Sequence, residues 1–240
     1  MGLWDSQGQF KPTRKKIFFF IPLLTIILVF IVSKAKADVY VHDTEELLDA
    51  FYSNSGEAIV IERDIYISES IEIAPEENNV ISLSANKAII ETTNPLVILT
   101  FKNLQYLEIR NITINGHIAV NDTTTVLIQN SNLRGAVVGE RNSKVNIQNC
   151  VYTSDSQFSE VNRIDFKGGQ VSLLNTDFFA HKTVNGTLFQ YEGDPSALED
   201  VQVMNCRFDG NFISNSIYAI YARLTVLSSR FFNGFASVHG

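Results

Sequence analysis

The stretches VLIQN at residues 126–130 and VNIQN at residues 145–149 are alternating apolar segments that both stop on an asparagine. The pattern recurs in LEIRN, VSLLN and VQVMN, and a final copy, LTVLS, ends on serine. Successive copies lie 19, 19, 26, 30 and 23 residues apart. The closing positions are Asn111, Asn130, Asn149, Asn175, Asn205 and Ser228, and the large residues three places after them are Ile114, Leu133, Tyr152, Phe178, Phe208 and Phe231.

Alternation with a period of two is typical of β-strands rather than of helices. Short strands with polar turns, repeated about every 20 to 30 residues, predict a parallel β-solenoid, in which each coil buries its apolar face against its neighbours. Asparagine tolerates the left-handed conformation of a sharp bend between two strands. Stacked about 4.8 Å apart in successive coils, the five asparagine amides are predicted to hydrogen-bond along a column and to satisfy buried turn groups.

Cys150 and Cys206 are the two cysteines of the chain, so no disulfide framework carries the fold. Both directly follow a closing asparagine, and Thr176 takes the same place in the coil between them. Their backbones are therefore roughly twice 4.8 Å apart, which is too far for a bridge, whose Cα atoms lie within about 7 Å. We predict two free, buried thiols.

The charge of the chain is divided unevenly along its length. Of 19 basic and 26 acidic side chains, 6 basic and 1 acidic lie in residues 1–37, so residues 38–240 hold 13 basic and 25 acidic side chains, a net charge of −12. So acidic a domain repels phosphate backbones, which argues against nucleic acid as a partner. The same repulsion disfavours polyanionic sugars such as pectate, unless a divalent cation bridges the two.

Residues 17–33 carry no charge and read IFFFIPLLTIILVFIVS. This run exceeds the usual signal-peptide core of about 7 to 15 residues and is at the short end of the roughly 17 to 25 needed to span a bilayer. The preceding KPTRKK cluster places residues 1–16 in the cytosol and directs the rest across the membrane. Residues 17–37 are thus either an uncleaved apolar signal-anchor helix, giving a single-pass protein with an extracellular or luminal domain, or a signal peptide cleaved after Ala37, giving a secreted one.

The segment VYVHDTEELLDAFYSNSGEAIVIERDIYISESIEI, residues 39–73, precedes the repeat. Asp43 and Glu46 form a helix N-cap pair, and TEELLDAFY predicts one short amphipathic helix. Alternating strands follow around Ile59 and around Ile71. The sequence therefore predicts a helical cap at the start of the solenoid.

This cap, the first strand GEAIVI and the V-x-I-x-N-x-x-F form of the later coils resemble the pectate lyase-like (pectin lyase-like) right-handed parallel β-helix superfamily over about residues 39–235. The resemblance implies an all-β, right-handed parallel β-helix with an N-terminal capping helix over residues 38–240, shortened at its C-terminus. Members of the superfamily include polysaccharide lyases and hydrolases, but also surface adhesins. The resemblance therefore implies a fold rather than an activity.

Superfamily hydrolases that act on polygalacturonate carry N-T-D, a paired Asp, G-H-G and R-I-K in that order. Asn175-Thr176-Asp177 matches the first motif by letter, but none of the others follows it. Calcium-dependent lyases use clustered acidic ligands with an arginine or lysine base, and the sequence shows no such cluster. No cofactor or metal site is predicted, and Ca²⁺ enters only under a lyase alternative.

One catalytic candidate comes from the spacing of the coils. Asp155 and His181 each lie six residues after a closing asparagine, which predicts that they are neighbours on adjacent coils. A carboxylate beside an imidazole can orient it for acid–base chemistry. The alternative is that both are solvated turn residues.

A ligand-binding candidate lies in RIDFK, where Arg163, Asp165 and Lys167 alternate with apolar residues and should project from one face. LFQY at 188–191 and IYAIY at 217–221 are expected to continue that sheet and to bring aromatic rings beside the charged row. Such a surface suits sugar rings, and the alternative is wall packing with a solvated charged face. The tyrosines concerned are Tyr191, Tyr218 and Tyr221.

Three N-x-[ST] sequons begin at Asn111, Asn121 and Asn185. Asn111 is expected to be buried in the asparagine column and hence unmodified. Asn121 and Asn185 are expected to lie in turns, where they can carry glycans if the source cell glycosylates.

The first functional hypothesis is a membrane-tethered or secreted β-helix that binds glycan or protein on its lateral sheets without catalysis. The alternatives are a polysaccharide lyase or glycoside hydrolase with a divergent site, and a purely structural role in a cell coat. The chain stops at FASVHG without a polar capping helix. Because open solenoid ends expose strand edges, self-association through the last coil is expected.

Overall fold

The computed structural model describes residues 38–53, 57–75, 80–154, 163–181, 186–212, 214–234 and 238–239. The predictions for residues 1–37, which include the apolar segment and its cleavage after Ala37, lie outside these ranges. Within them, no helix combines the length and the apolar character that a membrane crossing requires.

Helix α1 (Thr44–Ser53) is the predicted amphipathic helix. Asp43 caps it, because its Oδ1 accepts the Glu46 N–H at 2.9 Å. Its buried face consists of Leu47, Ala50 and Phe51. The Phe51 ring meets the ring of Phe101 edge-on, with centroids 5.8 Å apart, so α1 packs onto the apolar core of the solenoid.

His42 joins α1 to the strand that follows it. Its Nδ1 lies 2.8 Å from Glu46 Oε2, and its Nε2 lies 3.1 Å from Glu62 Oε2. Only the protonated imidazole can donate from both nitrogens. The hydrogen bond to Glu46, with further help from Glu62, raises the pKa of His42 above its ordinary value of 6.5.

We expect this contact to stabilise the fold below about pH 6.5 and to be lost as the pH rises through the raised pKa of folded His42. Thermal unfolding of wild type and His42→Gln between pH 5.5 and 8.5 measures the effect. The midpoint difference between the two proteins should be largest at low pH and shrink towards high pH. A difference that stays constant across this range contradicts the assignment.

Three parallel sheets form the rest of the described chain, which visits sheet I, sheet II and sheet III in that order in each coil. Sheet I contains β1 (Val39–Val41), β2 (Ala58–Ile61), β5 (Val80–Ala85), β8 (Tyr106–Arg110), β11 (Thr125–Gln129), β14 (Lys144–Gln148), β17 (Gln170–Leu174), β20 (Glu199–Met204) and β23 (Ala222–Leu227). Sheet II contains β3 (Ile65–Ile67), β6 (Ile89–Thr92), β9 (Thr113–Asn115), β12 (Asn132–Arg134), β15 (Val151–Thr153), β18 (Asp177–Phe179), β21 (Arg207–Asp209) and β24 (Arg230–Phe232). Sheet III contains β4 (Ile71–Ile73), β7 (Ile98–Lys102), β10 (His117–Asn121), β13 (Val137–Glu140), β16 (Ile164–Lys167), β19 (Gly186–Glu192), β22 (Ser214–Ile220) and β25 (Val238–His239).

The register of these sheets places similar residues directly above one another in successive coils. The large residue predicted three places after each closing asparagine points inward and lies directly over its counterpart in the next coil. The rings of Phe178 and Phe208 stack with centroids 4.4 Å apart and planes 5° apart, and Phe231 continues the stack at 5.2 Å. This is the architecture of a parallel β-helix, and it confirms the predicted solenoid.

The closing asparagines adopt the predicted left-handed conformation, but they do not lie in the interior. Their φ angles are 54°, 51°, 53°, 49° and 54° for Asn111, Asn130, Asn149, Asn175 and Asn205, and Ser228 follows at 52°. All five amides are exposed. Among the described side chains, the column shows one amide–amide hydrogen bond, from Asn175 Nδ2 to Asn149 Oδ1 at 3.1 Å.

The expectation that these amides satisfy buried turn groups is therefore wrong, as is the expected burial of Asn111. The reason lies in the bend, where the left-handed residue points outward and the next residue points inward. Small polar residues fill that inner column, in which a hydroxyl or thiol bonds the carbonyl two residues earlier, as in Ser131 Oγ to Gln129 O at 2.8 Å. The column contains Ser131, Cys150, Thr176, Cys206 and Ser229.

Cys150 and Cys206 are free and buried, as predicted. Their thiols contact the carbonyls of Gln148 and Met204 at 3.2 and 3.3 Å. Burial raises the pKa of Cys150 to about 11 and raises the pKa of Cys206 above its ordinary value. Because the thiolate is the reactive form, both thiols should be inert in the folded chain.

We expect iodoacetamide at pH 8 to leave both cysteines of the folded full chain unmodified and to alkylate both after unfolding in urea. Intact-mass spectrometry counts the added groups. Stoichiometric alkylation of the folded chain at either position would contradict its burial.

Candidate functional site

The outer face of sheet III carries the charged row predicted from RIDFK. In β16, Ile164 and Phe166 point into the core, whereas Asp165 and Lys167 face outward and Arg163 precedes them on the same side. This confirms that the three charged side chains share one face. The strand alternation alone produces this arrangement.

Asp165 is the most enclosed of the three, because its side chain is only 11% exposed although it faces outward. Arg163 Nε and Nη2 both donate to its Oδ2, at 3.0 and 2.9 Å. Its other oxygen, Oδ1, is buried and has no hydrogen-bond partner within the described residues. Such an orphaned carboxylate oxygen is costly unless a donor reaches it, so it indicates a place for a ligand group or water.

Lys167 forms an ion pair across the coils. Its Nζ lies 3.0 Å from Glu140 Oε1, and this hydrogen bond raises the pKa of Lys167 above its ordinary value. The Glu140 N–H in turn donates to Asn121 Oδ1 at 3.1 Å. Three successive coils are thereby tied together at one edge of the row.

An open cleft of about 400 Å³ lies on this outer face. It is lined by Asn121, Val138, Gly139, Glu140, Asp165 and Lys167. Val138 lies in register between Ala119 and Asp165, and these small side chains make the depression beside the carboxylate. Val138 and Glu140 were not identified from the sequence, because their place beside Asp165 depends on which strands are neighbours in sheet III.

The tyrosine predictions have different outcomes. β19 and β22 continue the sheet beside β16, as expected, and Tyr218 lies on the outer face in the column of Asp165, with Gln190 between them. Tyr191 is instead fully buried, because it is in register with the inward residue Phe166, and its hydroxyl lies 2.9 Å from Gly169 O and 2.8 Å from Glu199 Oε2. Tyr221 occupies the turn after β22 with φ 53° and is half exposed, so it is not part of the sheet face.

The Asp155–His181 pair is not placed by the structure, since Asp155 lies outside the described residues. The backbone N–H of His181 donates to Ser154 Oγ at 2.8 Å, in the turn between sheets II and III. Of the sequons, Asn185 also lies outside the described residues. Asn111 is exposed, which removes the reason given for leaving it unmodified, and Asn121 is half-buried at the end of β10.

Sheet I presents a second, smaller depression of about 310 Å³ on its outer face. It is lined by side chains such as Lys144, Asn146, Gln170 and Gln202, with Asp200 held by Arg223 at 2.7 Å. Its polar side chains face solvent, and the described residues include no orphaned carboxylate there. This depression is therefore the weaker candidate.

Within the described ranges, no three histidine, cysteine, aspartate or glutamate side chains converge as metal ligands would. No protein-family model, no curated protein and no solved structure shows a significant similarity to this chain.

Proposed function

We propose that this protein is a non-catalytic β-helix that binds a glycan on the outer face of sheet III, in the cleft beside Asp165. The observation that carries the proposal is the Asp165 carboxylate, with Oδ2 fixed by Arg163 and Oδ1 enclosed without a partner. A sugar hydroxyl supplies the missing donor, and the alternating donors and acceptors of Asn121, Glu140 and Lys167 match further hydroxyls. The exposed ring of Tyr218, farther along the Asp165 column, offers a surface for a sugar ring.

The shape of the cleft favours a polymer over a small molecule. Small-molecule pockets are concave and enclose most of the ligand, whereas this cleft opens along the sheet. Asn121, Glu140 and Lys167 are register partners in three successive coils, so a polymer that lies along the solenoid axis passes one polar side chain at each of them. The acidic character of residues 38–240 favours a largely neutral glycan.

The ion pairing of the cleft supports binding without catalysis. A lyase base must be neutral to accept a proton, but Glu140 raises the pKa of Lys167 and keeps its amine charged. Two hydrogen bonds from Arg163 likewise occupy Oδ2 of Asp165. We infer in addition right-handed coils of the pectate lyase-like type, from the sequence resemblance. We also infer display of residues 38–240 outside the cytosol, from the apolar run at residues 17–33 and the basic cluster before it.

We further propose that a second copy of the chain can associate with the last described coil. The inward-facing apolar side chains of this coil are only partly buried, because no described coil covers them. They are Leu224 and Val226 in β23 and Phe231 in β24. Surface proteins that bind the lateral sheets are the alternative class of partner.

The test applies the purified full chain to immobilised neutral and acidic polysaccharides, with and without calcium, and scores both retention and newly formed chain ends. We expect retention on at least one neutral polymer without new ends. Asp165→Asn should weaken retention at least about tenfold, because a carboxylate hydrogen bond is worth roughly 1.5–3 kcal/mol. Asp200→Asn, which changes an arginine-paired carboxylate on sheet I, is the matched control and should retain wild-type binding.

Other outcomes decide among the alternatives. New chain ends that disappear in Asp165→Asn would establish a lyase or hydrolase, and a calcium requirement would indicate a bridging cation. Equal losses in Asp165→Asn and Asp200→Asn, or no retention on any polymer, would contradict a glycan site on sheet III.

A further inference from the structure

A guanidinium group lies between two aromatic rings on the outer face of sheet II. Arg207, in β21, has its Cζ 5.3 Å from the ring centroid of Phe179 in the preceding coil and 5.2 Å from that of Phe232 in the following coil. Cation–π contacts of this kind hold the planar group in one orientation. Arg207 is nevertheless 47% exposed, so its outer edge faces solvent.

Within the described residues, the guanidinium of Arg207 makes no hydrogen bond. Its ion pair with Asp209 is long, with Nη2 3.7 Å from Oδ2. Asp209 is engaged elsewhere, because its Oδ1 accepts the Asn211 N–H at 3.2 Å and Asn233 Nδ2 at 3.0 Å. A rigid arginine with free donors is the group that proteins use to bind a carboxylate in two-pronged fashion.

A second arginine reinforces the site. Arg230 is the register partner of Arg207 in the last coil, and it makes no ion pair within the described residues. Like charges directly opposite each other in a sheet are destabilising, so an anion held between them relieves the repulsion.

Exposed aromatic surface lies beside Arg207. Phe232, whose ring contacts the guanidinium, is 41% exposed. An anion held by Arg207 therefore has an apolar ring face next to it, which suits the C–H face of a sugar.

We propose that Arg207 and Arg230, with Phe232, form a subsite for a single carboxylate on an otherwise neutral glycan, such as an isolated uronic acid. Several features restrict the ligand to this class. Asp177 and Asp209 flank Arg207 in the sheet, and residues 38–240 are acidic, so closely spaced anions are repelled. β21 is paired on both sides, so no peptide can add to it as a strand.

This inference deepens the proposed function, and its test is kept separate from the sheet III cleft by using monosaccharides. NMR titration of the full chain compares methyl glucuronide, methyl glucoside and inorganic phosphate. We expect the glucuronide to bind at least tenfold more tightly than either of the others. Arg207→Gln should remove that preference, whereas Arg110→Gln, which removes the same charge from sheet I, and Asp165→Asn should preserve it.

The possible results of the titration distinguish this subsite from the alternatives. Equal affinity for glucuronide and glucoside, or a preference that survives Arg207→Gln, overturns the subsite. Phosphate binding as tight as glucuronide binding overturns the saccharide assignment and leaves a general anion site. If the chain prefers glucuronide but is retained on no polysaccharide, that result contradicts the sheet III proposal and supports this one.

Discussion

Replacing Phe178 by alanine is expected to lower the free energy of unfolding by about 3–5 kcal/mol, because it empties the centre of the aromatic column. Phe178 is fully buried, with Phe208 stacked at 4.4 Å on one side and Tyr152 at 5.9 Å on the other. The coils above and below are tied by hydrogen bonds in three sheets, so they cannot collapse onto the cavity. Urea titrations of the full chain measure the change.

The neighbouring residue provides the matched control. Phe179 belongs to the same strand but faces outward, where its ring contacts Arg207. Phe179→Ala should therefore cost about 1 kcal/mol or less. Similar losses for the two variants would contradict the assigned inward and outward faces of β18, and with them the register of sheet II.

Gly169→Ala is expected to destabilise the fold by about 3 kcal/mol or more, because both its conformation and its surroundings require glycine. Gly168 and Gly169 form the turn from sheet III to sheet I with φ angles of 73° and 79°. A Cβ at position 169 would overlap the carbonyl oxygen of Asn142 in the neighbouring coil. That oxygen is backbone and cannot move without displacing its coil.

Gly168→Ala separates the two contributions. It has the same left-handed backbone, but its Cβ would meet only Glu199 Oε2, at 3.8 Å. Its cost should be limited to the left-handed strain of about 1–2 kcal/mol. Thermal and urea unfolding of both variants measure the difference, and a Gly168→Ala loss as large as that of Gly169→Ala would contradict the close approach of the coils at Asn142.

The fold could be predicted because its repeating unit is local. A strand of period two, a left-handed asparagine and a large residue three places later all lie within eight residues, and stacking like on like follows from them. The position of the asparagine amides could not be predicted in the same way. The burial of Cys150 is predicted correctly, but the outward direction of Asn149 depends on the bend itself. The small, polar character of Ser131, Thr176 and Ser229 is the signal that the inner column lies one residue after the asparagine.

The candidate site could be predicted where it lies within one strand and not where it joins strands. Arg163 and Asp165 share a face because they are two residues apart, which the sequence alone determines. The expectation for Tyr191 was wrong because the direction of its side chain depends on its register with Phe166 in the preceding coil. Glu140 contacts Lys167 from 27 residues away, a separation lengthened by the insertion before β16.

The arginine between two phenylalanines on sheet II illustrates the same limit. DFF, RFD and RFF are recognisable as three-residue strands that follow closing positions. The spacing predicts that their central phenylalanines are core, but the contacts between the outward residues depend on the register between coils. Arg207 reaches the rings of Phe179 and Phe232 only because its side chain crosses from one outward column to the other.

A crystal structure of the chain with an oligosaccharide derived from the polymer that retains it tests the central claim most directly. The account predicts a sugar hydroxyl within about 3.2 Å of Asp165 Oδ1, with the oligosaccharide lying along the sheet III cleft past Glu140 and Lys167. An oligosaccharide bound in the sheet I depression at Lys144 and Asp200, or an Asp165 Oδ1 that bonds a protein donor in the complex, would contradict it.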